Sequence, residues 1–243
     1  MGVVPGMSSD TLLVSEVFGP TVQGEGPNAG HRCAFIRLGL CNLNCSWCDT
    51  PYTWDWKGEN GPPQDRSALV AMTPAELLDA LAPLLVDHVV ISGGEPLVQR
   101  NKLGPLVSAL KAVGYFVEIE TNGTLNPSDE LIAGVDWWNV SPKLEHSGVA
   151  PGKAKRLDTL SDFYAGGRAC FKFVCQRAED LYEVAALMDS IDADPSAVWI
   201  MPEGRDALTI TETTATIAPA VIDRGYNLTT RLHVLAWGDR RGV

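Results

Sequence analysis

An open, partial parallel β/α barrel of about six strands is the fold read from this sequence. Three observations point to it. From Thr73 onward, short apolar runs of strand length alternate with helix-length segments, the pattern of repeated β-α units on a parallel sheet. Asp87-His-Val-Val-Ile-Ser92 is nearly continuous in its apolar character, as in a strand covered on both faces. The strand count falls short of the eight that close a full barrel. A length of 243 residues suits one domain, so 1–243 reads as a single unit.

The elements follow in order. Residues 1–10 lack the basic-then-apolar pattern of a leader peptide and read as a loose tail. TLLVSEVF (11–18) alternates loosely and reads as a strand. Thr21-Val-Gln-Gly-Glu-Gly-Pro27 is turn-rich. It is either a plain surface turn or a loop whose glycines let backbone approach a ligand. CAFIRL (33–38) is a strand with Ala34, Ile36 and Leu38 on one face and Cys33, Phe35 and Arg37 on the other. Arg37, flanked by apolar neighbours, is a solvated edge charge or a guanidinium turned inward to grip a carboxylate. Segment 51–70, rich in Trp, Gly and Pro at its start, reads as a loop or small insertion.

Thr73-Pro-Ala-Glu76 is a capping box with proline in the first turn, so a helix runs to about Leu85. Strands are expected at 87–92, 115–119, 137–140, 170–174, 197–201 and 228–236. Helices are expected at 101–112, 178–190 and 208–222, with a short one opened by Asn126-Pro127 and a helical or irregular piece at 154–165. In 170–174, Lys172 and Val174 share a face with Cys170, while Phe171, Phe173 and Cys175 share the other. Cys170 and Cys175 read as packing residues.

Chemistry concentrates in Cys41-Asn-Leu-Asn-Cys45-Ser-Trp-Cys48. Three thiols within eight residues can present sulfurs on one concave side, with intervening N–H groups free to bond cluster sulfurs. Three thiolates on a four-iron cluster leave one iron corner open. Zinc would need a fourth ligand from Cys33, a histidine or Asp49, and there is no second CxxC pair. The six cysteines do not read as a disulfide framework in a chain this large. Net charge is −11 and no basic stretch is interleaved with aromatics, which argues against nucleic-acid binding. No apolar run reaches the ~18 residues of a membrane span.

Ligands of such folds gather at the carboxyl ends of strands. Four segments stand there: Ser92-Gly-Gly-Glu-Pro96, Glu120-Thr-Asn-Gly123, Ser141-Pro-Lys143 and Met201-Pro-Glu-Gly204. Glu120 and Asn122 suit ribose hydroxyls or a polar ring, or form a solvated turn. His233 lies in the last expected strand, where a lone histidine is usually a structural residue. The tail from Trp237 ends soon after, which would bring its terminal carboxylate near the barrel mouth.

The triplet with Trp47 before its last cysteine resembles the signature of the radical S-adenosylmethionine (SAM) superfamily. Gln23-Gly-Glu-Gly26, Phe35-Ile-Arg37, Cys48-Asp-Thr50, Gly93-Gly-Glu-Pro96, Glu120-Thr-Asn-Gly123, Ser141-Pro-Lys143 and His233 together resemble the 7-carboxy-7-deazaguanine synthases of queuosine and 7-deazapurine biosynthesis. The resemblance runs from Thr21 to about Arg241 and implies a radical SAM barrel. It implies that Cys41, Cys45 and Cys48 hold a [4Fe-4S] cluster. Gly94, Glu120, Ser141, Pro142, Lys143, Met201, Pro202, Glu203 and Gly204 would contact SAM. Val22, Gln23, Gly24, Glu25, Arg37, Ser92, His233 and Val243 would bind a pterin, with Arg37 on its carboxylate. Thr50 would be a Mg2+ ligand.

Three positions depart from the family pattern. Leu40 stands where glycine is common, Ser92 where threonine is usual, and Met201 differs from the usual first residue of its loop. The implied reaction converts 6-carboxy-5,6,7,8-tetrahydropterin to 7-carboxy-7-deazaguanine with loss of ammonia, after one-electron cleavage of SAM and hydrogen abstraction at C6. The implied partners are a flavodoxin- or ferredoxin-type reductant and a second copy of the chain, in the cytoplasm. The rivals are a glycyl-radical-activating enzyme and a non-catalytic iron–sulfur or zinc protein.

Overall fold

The computed structural model describes residues 11–243, and the expected tail at 1–10 lies outside the described residues. The strands are β1 (Leu12–Val22), β2 (Arg32–Leu38), β3 (Val70–Met72), β4 (His88–Gly93), β5 (Phe116–Thr121), β6 (Trp137–Val140), β7 (Ala169–Cys175), β8 (Val198–Pro202) and β9 (Asn227–Leu228). The helices are α1 (Pro74–Leu81), α2 (Arg100–Ala112), α3 (Asp129–Gly134), α4 (Pro151–Ala154), α5 (Leu157–Ala165), α6 (Asp180–Asp189), α7 (Ala207–Asp223) and α8 (Leu232–Trp237). All nine strands form one open sheet in the order β3-β1-β2-β4-β5-β6-β7-β8-β9.

From β2 to β9 every pairing is parallel, so the six expected core strands are β2, β4, β5, β6, β7 and β8. The sheet is nonetheless mixed, because β1 runs antiparallel to both β2 and β3. The antiparallel β1 and β3 extend one edge of the expected parallel core. β1 also continues past residue 18, since Thr21 pairs with Cys33 and Val22 with Arg32. Backbone pairing with a neighbouring strand overrides the local turn propensity of that stretch.

One core face holds Ala34, Ile36, Leu38, Val89, Ile91, Phe171, Phe173 and Cys175, covered by the helices. The capping box forms as expected: Thr73 Oγ1 accepts from Glu76 N–H, and the Glu76 carboxylate accepts from Thr73 N–H at 2.7 Å. The short helix near Asn126 starts later, at Asp129, because the Ser128 hydroxyl caps it by accepting from Leu131 N–H. Segment 51–70 is more ordered than a plain loop. Asp55 is buried and accepts from Glu59 N–H and Asn60 N–H at 2.7 and 2.9 Å.

The strand expected at 228–236 is not there. Pairing with β8 stops at Leu228, and Leu232–Trp237 is helix α8. Leu, Val and Ala in that run are as compatible with a helix as with a strand at this length. Tertiary bonds decide the turn: Thr229 N–H donates to Ile200 O and Leu232 N–H to Gly24 O, both at 2.9 Å. The second of these joins the loop after β1 to the far edge of the sheet. Gly24 permits that closure, since a side chain there would collide with His233 Nδ1. Among the described residues no helix is long and apolar enough to cross a membrane.

Candidate active site

A cavity of about 490 Å³ opens at the carboxyl ends of the strands. Its walls combine the loop after β1, the cysteine loop after β2, the ends of β4 to β8 and the segment from Gly238 to Val243.

Cys41, Cys45 and Cys48 line one part of it, packed with Leu43, Val149 and Ala154. The loop is pinned by Leu40 N–H to Thr53 O at 2.7 Å and Ser46 N–H to Ser147 O at 2.9 Å. Leu40 sits at φ 75°, a left-handed conformation that glycine adopts more easily. The sulfurs receive N–H donors from the protein: Leu43 N–H to Cys41 Sγ at 3.4 Å and Trp54 Nε1 to Cys48 Sγ at 3.3 Å.

Burial pushes the Cys41 thiol up to about 12, with Glu95 and the other two cysteines adding to it. Burial raises Cys45 as well. Ionising these thiols together requires a cationic group among them. Among the described residues no three histidine, cysteine or carboxylate side chains close on a single metal ion. Three thiols on one cavity wall, with N–H donors on two of the sulfurs, suit a thiolate-bound cluster.

Beside the thiols, Gly93 and Gly94 carry the chain under the cysteine loop. Gly94 N–H bonds Leu38 O at 3.1 Å, and a side chain at Gly94 would strike Leu40 O. Glu95 is fully buried and accepts from Leu97 N–H, Asn122 N–H and Thr121 Oγ1 at 2.7–2.9 Å, which locks this turn to the end of β5. Ser92 Oγ donates to Glu120 at 2.7 Å, so the hydroxyl at this position is used. Lys143 Nζ donates to Ser141 Oγ at 2.9 Å and lies 5.6 Å over the Trp47 ring. Met201, Glu203 and Gly204 also line the cavity.

The polar part is an ionic network. Lys172 Nζ pairs with Glu25 and lies 3.7 Å from Glu120. Arg231 donates to Glu25 Oε1 at 3.3 Å, to Gly204 O at 2.8 Å and to Asp49. Burial opposes ionisation of Glu25, but Lys172, Arg231 and His233 outweigh it and hold that carboxyl far below the usual range. Burial likewise opposes the Lys172 charge, and Glu25 and Glu120 raise its pKa above the ordinary lysine value. Gln23 Nε2 reaches both Glu118 and Glu120. Arg37 lines the cavity, with its Nε on Glu16 at 2.7 Å.

Of the site residues expected from sequence, Val22, Gln23, Gly24, Glu25, Arg37, the three cysteines, Thr50, Ser92, Gly94, Glu120, Ser141, Lys143, Met201, Glu203, Gly204, His233 and Val243 line this one cavity. Pro142 and Pro202 do not; both are buried beside it. Thr50 Oγ1 stands 3.7 Å from Cys48 Sγ. Sequence reasoning missed Lys172, Arg231 and Asp49 as site residues. Lys172 carried a readable signal, a cation inside the apolar run CFKFV. Asp49 stood inside the Cys48-Asp-Thr50 motif without a role, and Arg231, 182 positions further along the chain, carried no local signal.

The radical SAM superfamily profile matches residues 36–143. The 7-carboxy-7-deazaguanine synthase of Pyrobaculum aerophilum is 40% identical over 235 residues, covering 95% of this chain and 97% of the relative. That of Rhodopirellula baltica is 33% identical, covering 97% and 90%. The crystal structure of QueE from Escherichia coli superposes with a TM-score of 0.71 at 27% identity, covering 92% of this chain and 95% of that one.

Proposed function

This chain belongs to the 7-carboxy-7-deazaguanine synthase family of the radical SAM superfamily, and from that premise we propose that it converts 6-carboxy-5,6,7,8-tetrahydropterin to 7-carboxy-7-deazaguanine with loss of ammonia. It is a radical SAM enzyme of deazapurine biosynthesis. One observation carries the substrate reading. The cavity that holds the three thiols also holds Arg37, whose terminal nitrogens have no hydrogen-bond partner among the described residues, and the ionic network around Glu25.

Cys41, Cys45 and Cys48 hold the [4Fe-4S] cluster, and Gly94, Glu120, Ser141, Lys143 and the 201–204 loop hold SAM. When bound, these groups supply the one-electron chemistry that starts the reaction. The protein's own share is binding and orientation. Arg37 takes the pterin carboxylate in two parallel bonds. Glu25, kept anionic by Lys172, accepts from ring N–H groups, while Ser92 and His233 add polar contacts. Enclosure of the reacting carbon excludes water and holds it in one orientation, which supplies on the order of 7–11 kcal/mol of the barrier. Pro142 and Pro202, buried behind the wall, stiffen the loops that carry Lys143 and Glu203.

Thr50 beside Cys48 supports an Mg2+ position completed by substrate oxygens and water, as suits a cation that keeps its waters. The one continuous sheet supports reading the chain as a single domain. We further assign a flavodoxin- or ferredoxin-type reductant, a homodimer and a cytoplasmic setting, the last in keeping with six free cysteines.

The test is anaerobic reconstitution with iron and sulfide, then incubation with carboxytetrahydropterin, SAM, reductant and Mg2+. The expected result is a brown protein whose spectrum shifts with SAM, and carboxydeazaguanine by mass spectrometry. A cluster that responds to SAM without making that product overturns the substrate assignment.

A further inference from the structure

Glu16 has no part in the site as read so far, yet three separate pieces of chain converge on it. Arg37 Nε donates to Oε1 at 2.7 Å and Tyr52 Oη donates to the same oxygen at 3.0 Å. Arg241 Nε donates to Oε2 at 2.8 Å. Arg241 also lies 4.0 Å over the Tyr52 ring. The partners come from β2, from the stretch after the cysteine loop, and from the 238–243 segment that lines the cavity.

Glu16 reaches this position through a fault in strand register. Val14 pairs with Leu38, and both face the apolar core. Two residues further along a regular strand, Glu16 would share that core face. Instead the register slips by one between Val14 and Glu16, so Glu16 pairs with Arg37. The slip turns the carboxylate to the cavity face, directly across from the arginine. Bulges of this kind re-aim side chains next to active sites.

We propose that Glu16 is a positioning residue: it selects which edge of Arg37 meets the substrate carboxylate, and it latches the 238–243 segment against the cavity. The first half rests on the reading that Arg37 binds the pterin carboxylate. A guanidinium has two edges fit for bidentate bonding, one through Nε and one through its two terminal nitrogens. Glu16 occupies the Nε edge. Among the described residues the terminal nitrogens have no hydrogen-bond partner, so they are left for the ligand. The Phe18 ring, 5.5 Å from Arg37 Cζ, confines the plane. The second half rests on Arg241, half exposed and held at Glu16, with Asp239 held by Arg205 at 2.8 Å. Burial opposes the Glu16 charge, but Arg241, Arg37 and Tyr52 together keep its carboxyl below the usual range. One anion thus separates two cations that would otherwise repel.

The experiment uses reconstituted holoenzyme carrying Glu16→Gln, Glu16→Asp or Arg241→Ala. It reads KM for carboxytetrahydropterin, SAM binding, and hydrogen exchange of the 238–243 amides. Glu16→Gln is expected to raise KM about tenfold, the loss of a charged hydrogen-bond partner, with SAM binding unchanged. Its 238–243 amides exchange several-fold faster. Glu16→Asp recovers part of the KM loss because the charge remains. Arg241→Ala speeds exchange of the segment on its own and carries that arm if Glu16→Gln does not fold. An unchanged KM in Glu16→Gln, or unchanged exchange in either Glu16→Gln or Arg241→Ala, overturns the proposal. If the wild-type enzyme does not turn over the pterin, the substrate reading fails, and the exchange arm still judges the latch.

Discussion

Glu118 and Glu120 stand two residues apart on β5 and share a face, yet they sit in two differently built halves of the barrel interior. Glu118 has no exposed surface and accepts from Gln23 at 2.5 Å, Asn28 at 2.6 Å, His88 at 3.0 Å and Asn139. Its oxygens are saturated by donors that belong to the protein. Glu120 lines the cavity, holding Ser92 at 2.7 Å and only longer approaches from Gln23 and Lys172. Gln23 bridges the two. The contrast teaches a division of labour: a saturated carboxylate ties strands together, and an incompletely paired one faces a ligand.

The largest test of that division is Glu118→Leu. It strands the amides of Gln23, Asn28 and Asn139 inside the barrel. Unfolding free energy in urea is expected to fall by about 3–5 kcal/mol, as when one partner of a buried charged network is removed. Glu120→Gln sharpens the comparison. Its unfolding free energy should stay within about 1 kcal/mol of wild type, while kcat/KM for the pterin drops ~10–100-fold. Should Glu120→Gln unfold the protein as readily as Glu118→Leu, the two halves are not distinct.

The smallest effect concerns pH. Burial, helped by Arg231, holds His233 below its ordinary value of 6.5 despite the attraction of Glu25. The unfolded chain therefore binds the proton more readily. Stability from this group is present above about pH 6.5 and is lost as pH falls through the depressed folded value. His233→Asn should flatten that part of the profile, read as urea midpoints compared between about pH 7.5 and 5.5. An equal slope in both proteins would place the acid sensitivity elsewhere.

The pattern of what was readable follows from range. The capping box at Thr73 and the strand Trp137–Val140 rest on local rules, and both appeared where expected. The two faces of β2 and β7 were legible because strand periodicity is rigid. Lys172 was half legible, since its place in an apolar strand was visible and its partners were not. The helix at 232–237 was misread as strand because a short apolar run carries both periods. The slip before Glu16 left no trace in composition at all.

By itself the sequence determined the alternation of strand and helix from β4 to β8 and the spacing of the cysteine loop. These depend on neighbours a few residues apart, whose spacing is the physical signal. Only the tertiary structure decided that β1 runs antiparallel, that Arg231 joins Glu25, Asp49 and Gly204, and that one carboxylate at Glu16 serves two arginines. Such meetings span up to 225 positions of chain. They arise because a curled sheet brings its distant strand ends around one space, and no local preference encodes that approach.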